Sequence, residues 1–296
     1  MSKVSVAIFG IGGSLGKPII DAFETGKFDD KIELPIKVVT RKELPSTDRI
    51  QYIVGNLDDE SVDSLAQKLD GTDVVVELLA PNPVLFTIVE KIVQKVKPKL
   101  FIPSEFGVDI DQVNTYIPGF LNSKKTHANN VRGFGIKTVS VVTAIFAVPG
   151  SITYELVAQV GIDVKEKTIT NFGDPNTKFT VSKLADIANS VLSLTTLDPQ
   201  TIPDTVRIQS DVVSFQDVID RYVQTHDVEL KVVKTIPKEE VAKNVAAKFR
   251  NGYDRSEIFF YLQAIASQGI DKGLHFSEIH NELVNPGESL WKWEKF

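Results

Sequence analysis

The sequence predicts an α/β fold: a doubly wound, parallel Rossmann sheet over residues 1–150, with a smaller α+β substrate subdomain over 151–296, partly interleaved with the first. Three observations carry this expectation. Strand-like apolar runs alternate with helical patterns through the first half, which implies parallel pairing through right-handed crossovers. The first run ends in a glycine turn that opens a helix. After Pro149-Gly150 the alternation loosens.

Val4–Phe9 has apolar or small residues on both faces, as a strand covered on both sides requires. A helix is expected from about Ser14 to Thr25, with Pro18 in its first turn, where a missing N–H is tolerated. Further strands are expected at Ile36–Thr40, Ile50–Val54, Val74–Leu79, Leu100–Ile102 and Lys137–Val142. Helices fit between them at about Asp58–Leu69, Val84–Lys95 and Leu121–Arg132. In the second half, Thr168–Phe172 and Lys178–Val181 read as a hairpin around Gly173-Asp174-Pro175-Asn176. A helix at about Lys183–Leu194 with Ser182 as its N-cap, a strand at Thr205–Gln209 and mostly helix to the end complete the chain.

Composition narrows the function. The chain has 33 Lys and Arg against 39 Asp and Glu, a net charge of −6, which argues against a surface that grips a nucleic-acid backbone. It has no cysteine, so disulfides, thiolate metal sites and a cysteine nucleophile are excluded. No run of 18 or more apolar residues exists, and Met1–Gly10 leads into a glycine turn rather than a cleavage-type ending. No membrane association is expected, and the cytosol is the expected compartment.

Gly10, Gly13 and Gly16 recur every three residues, directly after a strand and before a helix. The first permits the tight turn, the second lets a pyrophosphate approach the backbone, and the third lets the helix pack on the strand. The helix N-terminus then faces the phosphates. Gly10, Gly12, Gly13, Ser14, Leu15 and Gly16 are therefore the expected phosphate-binding residues of a dinucleotide site. The end of the second strand selects the dinucleotide. Thr40-Arg41-Lys42 offers two cations suited to a 2′-phosphate, where an NAD site usually has an acid, so NADP(H) is the expected cofactor. An ordinary solvated basic pair is the other reading of Arg41 and Lys42.

None of the six tyrosines is followed by lysine four residues on, so a Tyr-x-x-x-Lys dyad is absent. His275 and His280 are five apart, point off different helical faces and make no metal pair; no metal site is expected. If Leu121–Arg132 is helical, Lys124 shares a face with His127, Ala128 and Val131, which mark it as inward, while Lys125 lies with Asn129 and Arg132 on a solvated face. A desolvated lysine beside a cofactor cleft can act as general acid or base. A lysine snorkelling at a helix end is the alternative.

Ile102-Pro103-Ser104-Glu105-Phe106-Gly107 resembles the Leu-Pro-Ser-Glu-Phe-Gly segment of isoflavone reductase-like enzymes, within the NmrA-like branch of atypical short-chain dehydrogenases. The resemblance spans most of the chain. It takes in the glycine turn, Thr40-Arg41-Lys42, Val54-Gly55-Asn56-Leu57-Asp58, Gly173-Asp174-Pro175-Asn176-Thr177 and Asp198-Pro199-Gln200-Thr201. It implies an NADPH-dependent reductase of small aromatic or conjugated compounds, with Lys124 in the place of the family's catalytic lysine. Leu79, Ala80, Ser104, Glu105, Phe106 and Lys124 complete the expected cofactor contacts, and Phe106, Phe146 and His127 the expected substrate contacts. The chain departs from the family at Glu77, where a small residue is usual, and at Asn129-Asn130-Val131-Arg132-Gly133, where paired arginines and a glutamate are usual. The expected partner is a small aromatic substrate; a homodimer is left open. The rival reading is a non-enzymatic NADP-binding sensor that acts through a protein partner.

Overall fold

A computed structural model describes residues 3–156 and 161–296. At its centre β1 (Val6–Phe9) is buried along its whole length between β2 (Ile36–Thr40) and β4 (Val74–Glu77), parallel to both. With β3 (Ile50–Val54), β5 (Leu100–Ile102) and β6 (Lys137–Thr138) they form a six-stranded parallel sheet in the order β3-β2-β1-β4-β5-β6. This is the doubly wound Rossmann arrangement the sequence predicts. The order reverses at β1, so the loops after β1 and β4 part there and open a crevice at the C-terminal sheet edge.

Alternation along β1 sends Val6 and Ile8 to one face and Ala7 and Phe9 to the other. The Val6 face packs on α1 (Gly16–Glu24) and on α7 (Leu184–Thr195), which returns from the second half of the chain. The Phe9 face packs on α2 (Val62–Lys68), α3 (Pro83–Val96) and α5 (Asn122–Gly133). Asn82 caps α3 by accepting from the Val84 and Leu85 N–H groups, with Pro83 at the first position, where its missing N–H is harmless.

The expected strand Lys137–Val142 is two strands. At Val139 the backbone changes partner: Val139 N–H bonds Phe101, whereas Ser140 N–H bonds Asp204, and β7 (Ser140–Val142) pairs with β12 (Thr205–Arg207). The expected hairpin is also corrected. Its two strands exist but do not pair with each other. β10 (Thr168–Phe172) joins β9 (Ile162–Asp163) and β14 (Lys231–Ile236), while β11 (Lys178–Ser182) joins β8 (Ile145–Phe146) and β13 (Asp211–Ser214). The linking turn is held outward at both ends, Gly173 N–H to Ile236 and Gln216 N–H to Pro175, so it delivers the strands to different sheets. Ser182 is not the N-cap of α7. It closes β11 in register with Phe146, and Lys183 takes the cap position without a side-chain bond.

A second core forms from β8, β11, α4 (Ile110–Asn114) and α6 (Ile152–Glu155) with α8 (Phe215–His226), α9 (Lys238–Phe249) and α10 (Ile258–Ala266). Among the described residues no helix is long and apolar enough to cross a membrane.

Candidate functional site

The glycine turn divides its four glycines between two roles. Gly10 has φ +88°, and a Cβ there would meet the Leu78–Leu79 backbone at 2.8 Å. A Cβ on Gly16 would fall 1.8 Å from Ile11 O. These two are required by the protein's own packing. Gly12 has nothing within 4 Å and Gly13 only Leu78 O at 3.8 Å, and both are exposed. They face open space at the mouth of the crevice, a cradle that side chains would fill, as close backbone approach by a pyrophosphate requires. Ser14 is exposed beside them, whereas the Leu15 side chain is buried in the core under α1, so Leu15 offers a ligand its main chain alone.

Register then brings in the neighbouring loops. Phe9 pairs with Val39 on one side and Glu77 on the other, so Gly10 leaves the sheet level with Thr40 and Leu78. Thr40 Oγ1 accepts from Lys42 N–H at 3.1 Å, turning the chain so that Arg41 and Lys42 both stand exposed. Among the described residues neither cation is paired with a carboxylate. Leu79 is half-buried and Ala80 exposed on the β4 side of the crevice.

Beyond Ser14 and Pro81 the crevice deepens into a cavity of about 450 Å³. Its wall includes Glu105 and Phe106 after β5, Lys124 of α5, and Phe146 of β8. Phe120, Tyr253, Phe259 and Leu262 close the far side. Size and aromatic lining suit a small apolar ligand held by a few polar groups. No sequence pattern marks the closing residues of the second half. α10 is apolar nearly all round, and Tyr253 precedes it without any periodic signal.

Helical phase on α5 separates its two lysines. His127, Ala128 and Val131 are buried, and Lys124 lies on that side, in the cavity wall, with Nζ donating to Ser104 O at 2.6 Å. Burial lowers the Lys124 pKa, against the opposing pull of Glu105 and then Glu77. Lys125 instead pairs with Asp111 at the surface. Arg132, expected on the solvated face, folds inward: its guanidinium donates to Thr138 O at 3.3 Å and Ser140 Oγ at 3.1 Å. Glu105 is buried, its Oε1 has no protein partner, and burial raises its pKa despite the Ser140 hydroxyl and the Lys124, Arg132 and Lys125 charges.

His127 is not on the cavity surface. Its ring lies behind the wall, stacked on Phe86 at 4.4 Å, with Glu77 and Glu90 on its two nitrogens. An imidazole on an inward helix face can point either into a cleft or into the packing beneath it, and here the carboxylates on β4 and α3 draw it beneath. Glu90 is the one acid in the apolar helix α3, and that is the sole sequence signal for its place in this cluster.

Fold and site together define a Rossmann-type protein with a half-buried lysine in a cleft beside its glycine turn. The chain belongs to the NmrA-like family, whose profile matches residues 2–283. It is 24% identical over 261 residues to phenylcoumaran benzylic ether reductase 1 of Arabidopsis thaliana, covering 82% of this chain and 81% of that protein. Its fold resembles a crystal structure from work on pinoresinol-lariciresinol and phenylcoumaran benzylic ether reductases, with TM-score 0.69, 22% identity and coverage of 92% and 90%. It likewise resembles the leucoanthocyanidin reductase–NADPH complex from Vitis vinifera, with TM-score 0.66, 17% identity and coverage of 90% and 87%.

Proposed function

We propose that this chain is an NADPH-dependent reductase of a small aromatic or conjugated compound, with Lys124 as the group that handles the proton. The observation that carries this reading is the desolvated Lys124 in the wall of an aromatic-lined cavity that opens beside an empty-faced glycine cradle. Family membership and the reductases among its relatives support it. Residues 1–150 hold the cofactor and residues 151–296 complete the substrate pocket.

In this reading Gly12, Gly13 and Ser14 hold the pyrophosphate with backbone N–H groups at the start of α1. Arg41 and Lys42 hold the 2′-phosphate. When bound, NADPH supplies a hydride to a conjugated or benzylic carbon. Phe106 and Phe146 flank the nicotinamide and the substrate ring. Ser104 O fixes the Lys124 ammonium, which supplies or relays a proton at the substrate oxygen. Phe120, Tyr253 and Phe259 keep water from that oxygen.

The test is turnover of a panel of aromatic enones and benzylic ethers, followed by loss of NADPH absorbance. Reduction of any member supports the reading. No turnover, together with clearly different affinities for NADPH and NADP⁺, would replace it with that of a redox sensor.

A further inference from the structure

Behind the cavity wall lies a chain of buried ionisable groups that the reductase reading does not use. Glu77, at the end of β4, is fully buried; His127 is 2% exposed; the Glu90 side chain, on α3, reaches the rim at 14%. His127 Nδ1 is 2.8 Å from Glu90 Oε1, and Nε2 is 3.0 Å from Glu77 Oε2. An ionised carboxylate only accepts, so two such contacts call for a proton on each ring nitrogen, that is, an imidazolium. Phe86 stacked on the ring and Phe101 edge-on at 5.6 Å fix its plane. Asn130 Nδ2 donates to Glu90 Oε2 at 3.1 Å, holding the outer acid in place.

The inner acid meets Lys124 through one residue. Glu77 Oε2 accepts the Ser104 N–H at 3.3 Å, while Lys124 Nζ donates to Ser104 O at 2.6 Å. Glu77 Oε1 is buried with no protein partner. A buried carboxylate oxygen without a hydrogen bond is costly unless a nearby charge compensates it. His127 is one such charge, on the other oxygen, and Lys124, which gives its hydrogen bond to a carbonyl and not to an acid, is a second that acts on Glu77.

We propose that Glu77 is a positioning residue for Lys124: clamped by His127 and the Ser104 N–H, it couples the proton on the lysine to a buried acid–imidazolium–acid chain that surfaces at Glu90. This rests on the reading of Lys124 as the proton-handling group. The charged groups that face Lys124 are Glu77 from β4 and Glu105 after β5; those that face His127 are Glu77 and Glu90; Arg132 and Lys125 act on Glu105. Burial alone would lower the His127 pKa, but Glu77 and then Glu90 outweigh it and hold it raised. Glu77 acts on both Lys124 and His127, and a change of charge at one should be felt at the other through it.

Four histidines make the imidazole NMR spectrum easy to assign, and its pH titration needs no substrate. In the parent, the His127 ring should stay doubly protonated above the ordinary histidine range. Glu77→Gln should lower its midpoint. Lys124→Met, which removes a neighbouring positive charge, should raise it, with the other three rings unmoved. A His127 midpoint unmoved by Lys124→Met overturns the proposal. For turnover, Glu77→Gln should shift the lysine-dependent limb of the pH–rate profile to lower pH, because an anion that favours the protonated lysine is gone. An unshifted limb counts against the positioning role. Should Glu77→Gln not fold, Glu90→Gln tests the outer link of the chain: a lowered His127 midpoint supports it, an unmoved one overturns it. The two readings fail separately. Lost turnover in Lys124→Met with His127 unmoved leaves the lysine mechanism and removes the coupling; a moved His127 with turnover intact does the reverse.

Discussion

Lys124 donates its ammonium to the carbonyl of Ser104, 2.6 Å away, and so ties α5 to the loop after β5. The two residues that follow Ser104, Glu105 and Phe106, line the same cavity as the lysine. One hydrogen bond therefore fixes a cation, a buried acid and an aromatic ring relative to one another. Its acceptor is neutral. A carboxylate in that place would hold the proton more firmly, whereas a carbonyl orients the ammonium and leaves its proton available.

Cofactor choice follows from the loop after β2. Arg41 and Lys42 are exposed next to the crevice, turned there by Thr40. Arg41→Ala should weaken NADPH binding by about 1.5–3 kcal/mol, the range for a hydrogen bond to a charged group, and leave NADH nearly unchanged. Titration calorimetry with both cofactors checks this. Equal losses for the two would show that the cations do not read the 2′-phosphate.

The glycines should separate binding from folding. A Cβ at Gly13 meets nothing in the protein closer than Leu78 O at 3.8 Å, so Gly13→Val should fold, melt near the parent and lose dinucleotide binding. A Cβ at Gly16 falls 1.8 Å from Ile11 O, so Gly16→Ala should destabilise the fold, by about 3 kcal/mol if the clash sits at the upper end of overpacking costs. Thermal melts beside calorimetry distinguish the two. Unchanged cofactor affinity in folded Gly13→Val would rule out the phosphate cradle.

Most of the central sheet was legible because most of its strands are largely apolar runs set off by a turn or a helical pattern, as at Ile36–Thr40 and Leu100–Ile102. The partners of strands after Gly150 were not. Gly173-Asp174-Pro175-Asn176 has the local chemistry of a hairpin, but a bond to the Ile236 carbonyl and one from the Gln216 N–H, both distant in sequence, send its two strands apart. Phase on α5 was legible for Lys124 and Lys125 because Ala128 and Val131 mark the buried side. The depth of His127 was not, since both of its carboxylates come from other elements.

That buried cluster should also be visible in stability. Replacing His127 by Ala leaves Glu77 buried without its hydrogen-bonded counter-charge and should cost about 3–5 kcal/mol, as removal of one partner from a buried ion pair does. The folded His127 pKa is raised above its unfolded value. Its contribution is therefore fully present below the unfolded pKa and is lost as pH rises through the folded one. The stability gap between parent and His127→Ala should accordingly narrow on the alkaline side. Urea unfolding of both proteins across that range checks it; a gap that widens with pH would mean His127 is held neutral.

The last prediction separates the two lysines. Lys124 lines the cavity, desolvated and hydrogen-bonded to Ser104, while Lys125, one residue and about 100° further round α5, is paired with Asp111 at the surface. Lys124→Ala should lower turnover by roughly 10²–10⁴-fold, the range for a lost acid–base group, with NADPH affinity nearly unchanged. Lys125→Ala removes an exposed ion pair, worth at most about 1 kcal/mol, and should leave turnover close to the parent's. Steady-state kinetics on a substrate the parent reduces, with fluorescence titration of NADPH, reads both effects. A fall in turnover confined to Lys125→Ala would transfer the proton role to the surface lysine. A Lys124→Ala variant that retains full turnover would leave the ammonium as a structural tie between α5 and the Ser104 loop.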